Sequence, residues 1–135
     1  MEVDFAFLAD AAEAVNGKLY VVGGAIDTIW STGVPVVYPR LSFAMRLLIT
    51  PAELGRKHNL EINIMDEDGK RMITVGGTLD AQRSPELPAG WKQGTLIVLH
   101  FGGQFPKFGN YTIEIVVNNS SIKSVPLRVA QRVQL

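Results

Sequence analysis

From Tyr111 to Val117 the side chains alternate in character. Tyr111, Ile113, Ile115 and Val117 are apolar, and Thr112 and Glu114 between them are polar. A period of two marks a strand with one face on a core and the other in water, and an amphipathic helix cannot satisfy it. The turn residues Phe108-Gly109-Asn110 deliver Tyr111 into this strand. In many sandwiches an aromatic entering a strand from such a corner ties the loop to the sheet through its phenol hydroxyl. The chain is therefore organised as β-structure from this stretch outward.

The same alternation recurs along the chain. Val3, Phe5 and Phe7 begin a strand over 3–9, a long strand covers 18–30, and Leu41, Phe43, Met45 and Leu47 form another. Further strands follow at 60–64, 71–79, 96–101, 111–117 and 122–133. Pro126 has no N–H to give a ladder, so the last of these should run along a sheet edge there. Two short helical turns are expected between strands. Asp10-Ala11-Ala12-Glu13 has capping-box spacing, with a wide hairpin loop as the alternative. Thr50-Pro51-Ala52-Glu53-Leu54-Gly55 places an N-cap, a first-turn proline, an acid and a terminating glycine in order. Eight strands with turn chemistry between them predict a two-sheet antiparallel β-sandwich, immunoglobulin-like or jelly-roll-like, over a single domain of residues 1–135.

Composition narrows the function classes. Thirteen basic residues balance thirteen acidic ones, which removes the general electrostatic case for nucleic acid or an anionic membrane. Cysteine is absent, so thiolate metal sites, disulfides and thiol catalysis are excluded. The acidic opening Met1-Glu2-Val3-Asp4 lacks the basic and apolar regions of a signal peptide, and the expectation is a cytoplasmic protein. With 47% hydrophobic and 19% charged residues, the chain carries more apolar surface than one monomer readily hides.

The opening Val-Asp-Phe-Ala-Phe-Leu-Ala-Asp-Ala-Ala, followed by Gly-Lys-Leu-Tyr-Val-Val-Gly-Gly-Ala-Ile-Asp-Thr-Ile-Trp, resembles a family of short uncharacterised bacterial proteins of unknown function. The likeness runs on through the Asp-Glu-Asp-Gly hairpin and the Phe-Gly-Asn-Tyr strand. It implies a bacterial, intracellular β-sandwich and carries over no catalytic residue.

Motifs with chemical potential are few. Gly23-Gly24-Ala25 after a strand could open a dinucleotide-binding turn, but the β-branched and aromatic residues that follow suit a bend in a long strand better. Asp66, Glu67 and Asp68 beside Gly69 resemble the start of a calcium loop. Lys70 and Arg71 stand where further ligands would be needed, so a hairpin turn is the plainer reading. His58, beside Lys57 and Asn59, is expected at a rim, and His100 has no companion at metal or catalytic spacing. No metal, cofactor or catalytic residue is assigned.

Two surfaces remain. The loop 101–109 holds three phenylalanines and three glycines. Phe105 or Phe108 could be presented to a partner there, with Gln104 and Lys107 as polar contacts and Trp91 joining from the preceding loop. Two of its phenylalanines are expected to plug the end of the sandwich instead. The strand 96–101 is apolar on both sides. With Ile97, Leu99 and Phe101 in the core, Leu96, Val98 and His100 form an outer face that needs cover, from a second subunit or from the 81–94 segment. The expected function is non-enzymatic, through protein–protein contact or self-association. The alternatives are a small-ligand or calcium-binding module at 66–69 or 101–109, and an enzyme with a site near His100.

Overall fold

A computed structural model describes residues 1–133 and is all-β, with ten strands and, among the described residues, no helix. The strands are β1 (Glu2–Ala9), β2 (Ala11–Val15), β3 (Lys18–Val22), β4 (Thr28–Ser31), β5 (Val36–Ile49), β6 (His58–Met65), β7 (Arg71–Leu79), β8 (Gln93–Phe105), β9 (Gly109–Val117) and β10 (Ser120–Gln131). They form a three-stranded sheet in the order β1-β5-β8, a five-stranded sheet in the order β4-β10-β9-β6-β7, and the ribbon β2-β3. All ladders are antiparallel except β10–β4, which is parallel, so the expectation of a purely antiparallel arrangement is corrected at that edge. Pro126 pairs with Thr112 on β9, and β4 joins only from Arg128 onward, so β10 has a single neighbour at the proline.

The core lies between the two larger sheets. Leu41, Phe43, Met45, Leu47 and Ile49 alternate along β5 and are fully buried. They meet Ile62 and Ile64 of β6, Ile113 and Ile115 of β9, and Leu127 and Val129 of β10. Each of these strands turns its other face outward, which is the period-two pattern made physical.

The pair of extra strands has two causes. Asn16 and Gly17 both take positive φ, 51° and 74°, the requirement of a tight primed hairpin turn, and they fold 11–15 onto 18–22. Asp10-Ala11-Ala12-Glu13 is therefore extended and not a helical turn. The Asp10 amide closes the base of the hairpin by donating to the Gly23 carbonyl at 2.9 Å. Beyond it Gly23 and Ala25 turn left-handed, at φ 61° and 57°, and the expected 18–30 strand divides into β3 and β4.

The 50–55 segment is a turn as well. The Thr50 carbonyl accepts from Glu53 N–H at 3.0 Å and Leu54 N–H at 3.2 Å, but no ladder continues. The carbonyl of Glu53 is already taken by His58 Nε2 at 2.8 Å. Half of the expected capping box survives, with Thr50 N–H donating to Glu53 Oε1 at 3.0 Å. His58 itself is buried, not at a rim. Asn118 Oδ1 accepts from the Asn59 amide at 2.9 Å, which leaves the Asn118 Nδ2 to face His58 Nδ1 at 2.9 Å. Both ring nitrogens are thereby satisfied, and the ring joins the 50–55 turn to the β9–β10 hairpin.

The hairpin β2-β3 lies on the outer face of the three-stranded sheet. That face carries the cross-strand rows Phe7–Ala44–Val98 and Ala9–Ser42–His100. Ala12 of β2, Ala9 and Ala44 form a second small core, against which Phe7, Leu19 and Val98 pack. This hairpin, which was not expected from the sequence, therefore supplies part of the cover over Val98, which stays half-buried. Leu96 stays half-buried near the hairpin tip, and His100 is exposed.

Candidate functional site

The β6–β7 turn and the β8–β9 loop converge at one end of the molecule on a cleft of about 300 Å³. Asp66, Glu67 and Lys70 line one wall, Lys107 and Phe108 the other, and Tyr111 the floor between them. Three local devices hold it. Asp66 Oδ1 accepts from the amides of Asp68 and Lys70, each at 2.9 Å, so its carboxylate shapes the turn. Glu67 reaches across and takes the Asn110 amide on Oε1 at 2.7 Å. That approach needs Gly109, because a Cβ there would collide with the same carboxylate, and its φ of 138° is one that other residues rarely adopt.

The third device is the aromatic corner. The Tyr111 hydroxyl donates to the Lys107 carbonyl at 2.7 Å, and the Lys107 amide lies 3.3 Å from the same oxygen. Burial pushes the Tyr111 pKa up, and the negative charges of Asp66 and Glu67 add to this against the opposing bond to Lys107. Tyr111→Phe should lower stability by about 1–2 kcal/mol, because two backbone groups lose their partner. Urea denaturation checks it, and coincident midpoints would mean that the corner contributes nothing.

The loop residues singled out from sequence separate in space. Lys107 and Phe108 line the cleft. Phe105 is fully buried and meets Tyr111 edge-on at 5.3 Å between ring centroids, so it is a plug and has no surface to show a partner. Phe101 and Phe108 are partly buried against the same core. Gln104 is exposed on β8, paired with Val37. Trp91 is 62% exposed but precedes the start of β8, whereas Gln104 and Phe105 end it. Thirteen extended residues put about 40 Å between them, so Trp91 does not join the loop.

Chemistry at this cleft is limited by how its groups are engaged. Asp66 and Glu67 already accept backbone donors, and among the described residues no three His, Asp or Glu side chains converge as a metal cage. Near His100 the structure places Ser42 Oγ 2.8 Å from Nδ1. A serine–histidine contact is the beginning of a nucleophilic dyad. Ser42 is wholly buried, however, and no carboxylate orients the far side of the ring among the described residues, so the contact is a cross-strand pair on the outer face.

Sequence reasoning named the turn and the loop as alternatives and missed that Glu67 joins them. The two ends of that bond are 43 residues apart, and nothing local signals it. No curated protein matches the chain. It belongs to a family of unknown function (DUF6941), which it matches over residues 4–130.

Proposed function

We propose that this chain is a non-enzymatic β-sandwich module that acts through contact with another protein, and that the cleft between the β6–β7 turn and the β8–β9 loop is the contact. The observation that carries this reading is the Glu67–Asn110 bond at 2.7 Å, with Gly109 admitting the carboxylate. Two loops locked to each other present a surface whose ordering cost is met before a partner arrives. The cleft combines Lys70 and Lys107 with the partly buried ring of Phe108 and the Met72 side of β7. A small apolar centre inside a charged rim is the make-up of a protein contact patch. Self-association of the Leu96–Val98–His100 face has less support, since the β2-β3 hairpin already supplies part of the cover over Val98.

A photo-crosslinking residue at Phe108 tests the proposal in cells that naturally make the chain. Irradiation should give a discrete protein adduct that the same probe at Val37, an exposed position on β5, does not give. Identical adduct patterns from the two positions, or none from Phe108, would remove the cleft as the contact.

A further inference from the structure

Among the described residues three polar or charged side chains are buried, Ser42, Asn63 and His58. Of these residue types only histidine changes charge between about pH 5 and 8. The His58 ring stands between two turns. Its Nε2 lies 2.8 Å from the Glu53 carbonyl, and its Nδ1 lies 2.9 Å from Asn118 Nδ2. A carbonyl only accepts, so Nε2 carries the proton. The Asn118 amide cannot be reversed, because its Oδ1 accepts from the Asn59 N–H at 2.9 Å. Nδ2 therefore donates, and Nδ1 is the bare, accepting nitrogen of a neutral ring.

A second proton on this ring meets no acceptor. Imidazolium donates from both nitrogens, and its Nδ1–H would point at an amide that also donates. Reversing Asn118 would only move the conflict to the Asn59 N–H. The surrounding charges give no relief. In the 50–55 turn, the Glu53 carboxylate is turned to the Met1 ammonium at 2.8 Å and to Thr50 N–H and Oγ1 at 3.0 and 2.9 Å. Arg56 and Lys57, exposed just before the ring, are positive. On β7, Leu79 pairs with His58, and the exposed Asp80 after it accepts from Gln82 Nε2 at 2.7 Å. The β9–β10 turn contributes Asn118 and Asn119, which carry no charge. Among the described residues no carboxylate makes an ion pair with the ring.

We propose that His58 and Asn118 form a latch that a proton releases. When Nδ1 takes up a proton, the Asn118 side chain must leave the ring or give up the Asn59 amide. Either way the left-handed Asn118–Asn119 turn loses its tie to 50–55. Asn118 also donates its own N–H to the Asn59 carbonyl at 2.9 Å, so both backbone groups of Asn59 depend on where Asn118 sits. The end of the molecule where β6 begins and β9 finishes is thus fastened at neutral pH and loosened in acid. The cleft lies at the opposite end of both strands, so the latch does not rest on the contact reading.

Imidazole nitrogen shifts and hydrogen exchange on the whole chain test it as the pH is lowered from about 7.5 to about 5. The ring should begin neutral, with its proton on Nε2. As it charges, the Asn59 and Asn118 amides should lose about tenfold in protection, relative to unstructured rates at each pH, while β5 keeps its own. Glu53, whose pKa is brought down to about 2, stays charged throughout and cannot produce this change. Asn118→Asp keeps an acceptor for the Asn59 amide and offers its second oxygen to the ring, so there protection should rise as the ring charges. A proton on Nδ1 at the start, or a ring still neutral at the end, overturns the proposal. So does protection at 59 and 118 that ignores the charge on the ring, or a loss that extends equally to β5. An Asn118→Asp variant that responds as the parent does overturns it as well.

Discussion

Phe105→Ala is expected to be the most damaging single change at the candidate site, at about 3–5 kcal/mol. The ring is fully buried at the end of β8 and lies edge-on to Tyr111. Truncation removes a large apolar body and leaves a cavity where two rigid sheets cannot close on it. The floor of the cleft loses support at the same time, because Tyr111 holds the Lys107 backbone through its hydroxyl. Urea denaturation gives the stability loss, and the Lys107 and Phe108 amides should lose exchange protection ahead of those in β5 and β9. A variant that unfolds within about 1 kcal/mol of the parent would show that Phe105 is dispensable packing. Phe105→Leu should recover part of the loss, since it refills most of the volume.

The fold was legible wherever burial enforces a period of two. Residues 41–47, 60–64 and 111–117 read correctly because one side of each strand rests on the central core. The two helical turns were misread for different reasons. At 10–13 a local capping pattern competed with the Asn16–Gly17 hairpin turn and with burial of Ala12 beneath the sheet, and the non-local packing won. At 50–55 the Gly55 amide, which a helix would aim back at the Pro51 carbonyl, donates to the Ala81 carbonyl at 2.9 Å instead. The apolar excess of 96–101 was a true signal that its outer face is partly covered, but small alanines at 9, 12 and 44 do not advertise a second core. The cleft was visible only as two unrelated loops, since the residues that join them lie far apart in the chain.

Glu53 should give the chain a stability term that disappears in acid. Burial alone would raise its pKa. The Met1 α-ammonium at 2.8 Å and the amide and hydroxyl of Thr50 outweigh this and bring it down to about 2, from 4.5. A depressed folded-state pKa means that the native state holds the carboxylate charged where the unfolded chain would bind a proton. The contribution is therefore complete above about pH 5 and is lost as pH falls from about 4.5 towards 2. Its size is about 2–3 kcal/mol, below the full value of the shift because the side chain is 26% exposed to solvent. Glu53→Gln should lower stability by about that amount near neutral pH, and the gap between variant and parent should shrink by more than half at about pH 3. Urea titrations at the two pH values decide it. A gap that stays constant with pH would mean that Glu53 acts through its shape and hydrogen bonds, and that its charge adds nothing.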